Sequence, residues 1–115
     1  GWPLYSNGIN YNGTTISNGH NAAGITAPLK TWTPAMAPSG LTFINHPSFR
    51  DWNGNLLMGS LGRRHLLMIK MTNGVPGEET VLLNNTGRIR NVKMGAAGRV
   101  YVSVEDGRLL MLTAK

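Results

Sequence analysis

The chain has 115 residues, 41% of them hydrophobic, no cysteine, and eleven Lys and Arg against five Asp and Glu, a formal net charge of +6. That is the size of one domain with enough apolar mass for a core, and the missing cysteines exclude a disulfide framework and thiolate metal sites. No stretch approaches the roughly 20 apolar residues that span a bilayer, and the opening Gly1-Trp2-Pro3 carries no signal-peptide pattern and reads as an entry in mid-domain.

Residues 1–40 differ in kind from the rest. Gly, Asn, Ser, Thr and Pro dominate, with Asn7-Gly8, Asn12-Gly13 and Asn18-Gly19 as turn pairs and Pro28, Pro34 and Pro38 as breakers. The aromatics Trp2, Tyr5, Tyr11 and Trp32 argue against simple disorder. The expectation is a long crossing loop packed over one end of the fold.

Residues 41–86 read as one round of four short strands, 41–45, 55–61, 65–72 and 79–84, punctuated by Asn53-Gly54, Gly62-Arg63-Arg64 and Asn73-Gly74. Residues 87–115 read as a second round with one strand missing: 88–94, 99–105 and 108–113, split by Gly95-Ala96-Ala97-Gly98 and Asp106-Gly107. The rounds superpose with an offset near 44 residues, Gly54–Ser60 on Gly98–Val104 and His65–Ile69 on Arg108–Leu112. A repeat of that period fits blades of about 40–50 residues. The fold class expected is all-β, a β-propeller segment of about two blades of four antiparallel strands with the last blade incomplete. An ordinary antiparallel sandwich satisfies the same runs. Apolar blade faces at Leu57, Ile69, Val102 and Leu110, with an unpaired last strand, predict that a lone copy associates with itself or with remaining propeller blades, a three-fold ring giving six blades.

The basic residues are spread along the chain without a dense run or aromatic interleaving, so no specific nucleic-acid site is expected. A positive surface also suits an anionic small ligand or an acidic partner.

Several motifs together carry a resemblance. Gly1-Trp2-Pro3, the run 8–14 (GINYNGT), the run 32–40 (WTPAMAPSG), the run 52–61 (WNGNLLMGSL) and the run 87–92 (GRIRNV) are similar, in order and over almost the whole chain, to the C-terminal part of the soluble aldose or glucose/sorbosone dehydrogenases that depend on pyrroloquinoline quinone (PQQ). The resemblance implies a six-bladed propeller, a periplasmic or secreted setting, an aldose sugar oxidised at the anomeric carbon, PQQ as hydride acceptor and a calcium ion as Lewis acid. It also implies that the histidine base and the calcium loop lie in earlier blades, so no catalytic or metal-binding residue is expected here. His20, His46 and His65 fall in a loop, at a strand end and at a strand start, as surface or turn residues.

By the same resemblance Arg88 and Arg90 are cofactor-binding. Their Arg-x-Arg spacing puts both on one side of a strand, and the guanidinium fork matches quinone oxygens and carboxylates. Trp32 is the substrate-binding residue implied, an apolar platform for a sugar ring. The sequence departs from the family pattern at Asn91, where relatives carry Asp, at Ala96-Ala97, at Ala35, and at Gly62, where some members have lysine although Arg63 or Arg64 supplies charge. The reading is thus a C-terminal fragment of a PQQ-dependent sugar dehydrogenase. The alternative is a non-catalytic, self-assembling propeller module that binds a carbohydrate or an anion.

Overall fold

Turn chemistry sets the pairing. In this computed structural model, which describes residues 6, 8–17 and 22–115, Asn73 and Gly74 take φ of 52° and 78°. Two consecutive residues of positive φ are what a two-residue hairpin loop with the native strand twist requires. The loop joins β3 (Leu66–Thr72) to β4 (Val75–Leu83), and β1 (Pro38–Phe43) and β2 (Leu56–Ser60) complete an antiparallel sheet ordered β1-β2-β3-β4. A second antiparallel sheet follows, β5 (Ile89–Met94), β6 (Arg99–Val104) and β7 (Leu109–Thr113), ordered β5-β6-β7. The chain is therefore an all-β propeller segment, one blade of four strands and one of three.

Boundaries shift where local signals compete. β1 begins at Pro38, ahead of the expected position 41, and β4 begins at Val75, ahead of position 79. Pro76 and Gly77 argue for a break in sequence, but β4 has a neighbour only on the β3 side, and an outer strand tolerates the lost donor. A 3₁₀ helix, Pro47–Trp52, which the sequence reading took as connection, joins β1 to β2. Pro47 sits in its first turn, and His46 caps it, Nδ1 accepting from the Ser48 amide at 3.2 Å. His46 is thus the turn histidine expected.

The core lies between the sheets. Ile44, Leu57, Leu66 and Met68 from one side meet Ile89, Val92, Val100 and Val102 from the other. Side chains also stitch the innermost strands: the Ser39 hydroxyl donates to the Ile89 carbonyl, and the Met94 amide donates to Thr42 Oγ1 at 3.2 Å. The faces expected to be wet in a lone copy need correction. Leu57, Ile69 and Val102 are buried within the chain and Leu110 packs half-buried against the core. Residues pointing the other way are the open ones, Leu109 at 69% and Met111 at 55% exposure on β7. One apolar gap remains at the seam between the sheets, about 220 Å³ lined by residues including Ile44, Phe49, Trp52, Leu57, Leu83 and Val100.

The chain divides into two compact units, Gly1–Ala35 and Met36–Lys115. In the first, a tight reversal at Asn12-Gly13 is held by the Gly13 amide donating to the Asn10 carbonyl and the Asn10 amide to the Thr14 carbonyl, both at 2.8 Å. Asn12 Oδ1 accepts from the Thr14 amide and hydroxyl. Gly1-Trp2-Pro3, Tyr5, Asn18-Gly19 and His20 lie outside the described residues.

Sheet-on-sheet approach is tightest at Gly40, where an added Cβ would fall 2.8 Å from both the Asn91 Cα and the Val92 amide nitrogen. Backbone cannot move aside as a side chain can, so Gly40→Ala is expected to destabilise by about 1–3 kcal/mol, read as a lowered urea midpoint with an unchanged slope.

Candidate functional site: an arginine corner at the start of β5

Arg88 and Arg90 flank Ile89, which is 0% exposed. Burying that one side chain in the core turns its two neighbours outward, as strand alternation requires. A β-bulge adds to this: Ile89 faces Val104 and Asn91 faces Ser103, leaving Arg90 the extra residue with no opposite number. Bulges bend a strand and re-aim a side chain. The expectation of a shared side holds, though Arg88 precedes the strand and Arg90 sits on its irregularity.

Both arginines converge on Glu105. Arg88 Nε lies 2.6 Å from Glu105 Oε2 and Arg90 Nη2 lies 3.1 Å from Oε1. The Glu105 amide donates to the Arg88 carbonyl at 2.9 Å, so the acid is anchored by its backbone as well. Glu105 supplies the counter-charge that Asn91 lacks. Asn91 instead turns its side chain onto the backbone, Oδ1 accepting from the Val92 amide at 2.9 Å. The three charged side chains are each about half exposed. Ion pairs so open to water contribute on the order of 0–1 kcal/mol to stability, so their value lies in where they hold the guanidinium groups.

The hairpin loop behind them is braced in turn. Arg108 Nε pairs with Asp106 Oδ2 at 2.8 Å, and Arg108 Nη2 donates to the Thr86 carbonyl. The Thr86 amide donates to the Arg64 carbonyl at 3.1 Å, which brings the β2–β3 loop to the same end. Gly87 leaves room here: its φ is 120° and a Cβ would fall 2.8 Å from Val104 Cγ1. Arg108, just ahead of β7, belongs to this corner as well. An open depression of about 250 Å³ is lined by Arg64, Gly87, Arg88, Val104, Glu105 and Asp106. With Arg90 and Arg108 the corner holds four guanidinium groups against two carboxylates, an excess of two positive charges. Such a surface concentrates anions.

Trp32 lies in the Gly1–Ala35 unit, half-buried, with Lys30 Nζ 5.8 Å from its ring centroid. A cation over the ring is worth about 0.5–1 kcal/mol at an open site, and it tethers the indole. Among the described residues no three His, Asp or Glu side chains converge as a metal ion requires.

His65 departs from the surface or turn role expected. It is 7% exposed, and Nε2 has no hydrogen-bond partner. Burial first, then the Arg63 guanidinium, hold its pKa below 6.5, while Glu79 opposes them. The unbroken apolar run Leu66–Ile69 on β3 was the available signal, since a histidine opening it enters the same buried strand.

Comparison with known proteins fits this architecture. The two sheets form an all-β propeller segment, and residues 1–111 match the family model described as Glucose / Sorbosone dehydrogenase. The chain belongs to that family. It is 32% identical over its full length to the aldose sugar dehydrogenase YliI of Escherichia coli K12, and 35% identical over 97% of its length to an uncharacterised protein of Synechocystis, covering 32% and 28% of those proteins. Its structure matches a glucose dehydrogenase crystal structure with a TM-score of 0.91 at 32% identity, over the whole chain and 35% of that protein. It also matches the soluble aldose sugar dehydrogenase of Escherichia coli in its apo-form, with a TM-score of 0.81 at 30% identity, over 96% of this chain and 33% of that one. The chain thus spans about a third of the length of these relatives.

A histidine kept neutral by burial gives stability that is whole above the unfolded pKa of 6.5 and is lost as pH falls below it toward the lowered native value. Thermal melts from about pH 8 to about pH 5 are expected to fall on the acid side, and His65→Gln is expected to flatten that limb.

Proposed function

We propose that the chain forms the cofactor-holding wall of a PQQ-dependent sugar dehydrogenase that oxidises aldoses at the anomeric carbon, in a periplasmic or secreted setting. The observation that carries this reading is the pair of half-exposed guanidinium groups of Arg88 and Arg90, fixed on one side of β5 at a corner where Arg64, Arg88, Arg90 and Arg108 outnumber Glu105 and Asp106 by two charges. The residues present fit an anionic quinone. Arg stays charged and presents planar donor forks to carboxylate and carbonyl oxygens. Arg88 and Arg90 would hold the group, with Arg64 at the depression's rim. When bound, PQQ would supply the acceptor for the hydride, with its two electrons, removed from the sugar.

This chain's own residues bind and orient. In this reading the base that takes the sugar's hydroxyl proton and the calcium ligands belong to other blades, and Trp32 offers an apolar face to the sugar. Dye reduction by the chain with PQQ, calcium and glucose is accordingly expected to stay at the level of a heat-inactivated control, and turnover above it would overturn that division of labour.

Charge-assisted bonds are worth roughly 1.5–3 kcal/mol each. Arg90→Ala is therefore expected to weaken PQQ binding by about one to two decades at 1.4 kcal/mol per decade, measured by quenching of tryptophan fluorescence. Arg99, at the far end of β6 from Glu105, is the charge control. Equal losses on Arg90→Ala and Arg99→Ala would mean diffuse attraction in place of a site.

A second reading, association into a larger propeller assembly, is favoured by the open side of β7, where Leu109 and Met111 are exposed and only β6 is paired. Multi-angle light scattering across the micromolar range is expected to give a mass above 12.4 kDa; a stable monomer throughout would remove this reading.

A further inference from the structure

Among the described residues Glu105 is the one side chain paired with both arginines, and it stands just past the end of the neighbouring strand, outside the Arg-x-Arg motif. We infer that Glu105 is the positioning residue of the pair: it sets the direction in which the Arg88 and Arg90 forks meet an anionic ligand. The inference rests on the cofactor reading only for the identity of that ligand.

The geometry supports positioning in three ways. Arg88 meets the acid through Nε, and among the described residues its terminal nitrogens, Nη1 and Nη2, donate no hydrogen bond. Arg90 is held through Nη2 and keeps Nε and Nη1. Each guanidinium therefore retains two nitrogens for a ligand after the acid has oriented it. The acid itself cannot drift, because its amide is bonded to the Arg88 carbonyl and the Asp106–Arg108–Thr86 contacts brace the same loop. A long side chain already ordered before binding loses less conformational freedom when the ligand arrives. Arg90 most needs such a clamp, since its bulge position has no cross-strand neighbour to confine it.

Charge and position have opposite signs at this residue, which makes the test decisive. Removing Glu105 raises the local charge of the trio from +1 to +2, so electrostatics alone tightens anion binding. Positioning demands the reverse. PQQ titrations of the wild-type chain, Glu105→Ala and Glu105→Gln are expected to show about tenfold weaker binding for Glu105→Ala, equivalent to 1.4 kcal/mol. Glu105→Gln, which retains an acceptor oxygen, is expected to fall between the two. Unchanged or tighter binding in Glu105→Ala would overturn the inference, and Glu105→Gln decides in its place should Glu105→Ala not fold.

A ligand-free readout separates this inference from the cofactor reading. In nitrogen–proton NMR spectra the Arg88 Nε–H signal of the wild-type chain is expected to be shifted from the free-arginine position and slowed in exchange with water, and to return to that position in Glu105→Ala. If it does so while the wild-type chain fails to bind PQQ, the cofactor reading falls and the clamp stands. If the signal is the same in both proteins, the clamp falls whatever PQQ does.

Discussion

Ile89 is the residue on which the rest of the structure depends. Its side chain is sealed between the two sheets, its carbonyl accepts the Ser39 hydroxyl, and it comes so near β2 that a Cβ at Gly59 would fall 2.5 Å from its Cγ2. Docking one sheet against the other therefore fixes the start of β5 in depth and rotation. The arginines on either side have no freedom to turn inward, because that would place a charge in an apolar seam without a partner. Core packing and site geometry are in this way one event: the hydrophobic gain at position 89 orients the charges at 88 and 90.

The site built on that pivot uses weak interactions for position. Glu105, Asp106, Arg88, Arg90 and Arg108 form ion pairs open to water, which salt screens and which stabilise little. What they achieve is order among long side chains at one end of the second sheet. The buried histidine illustrates the opposite regime. His65 gains no compensating bond at Nε2, so its environment selects the neutral form and makes the first sheet sensitive to acid.

Much of the fold was legible in the sequence because its turns have distinctive chemistry. Asn73-Gly74 required a hairpin, and the apolar alternation of 99–105 against 108–113 located β6 and β7 to within a residue or two. β4 begins ahead of position 79, through Pro76-Gly77, a pair that would break an interior strand, and only the sheet order reveals that β4 is an outer one. The Arg-x-Arg pair was legible as two residues on one side of a strand. Glu105 was not, since its place opposite Arg88 depends on strand register, and a one-residue bulge at Arg90 alters the count between the Gly95–Gly98 turn and the pair. His65 was missed because its type suggested the surface while its neighbours, Leu66 to Ile69, had already marked a buried strand.

The apolar gap at the seam, about 220 Å³ bordered by Ile44, Phe49, Trp52, Leu57, Leu83 and Val100, gives the protein a mechanical character as well. Packing is looser here than in the interior around Ile89, and hydrostatic pressure opens loosely packed seams first. Trp52 stands at the lip of the gap, partly in water. Its emission under compression would therefore record the two sheets parting, and would do so from inside the joint that holds the arginine corner in place.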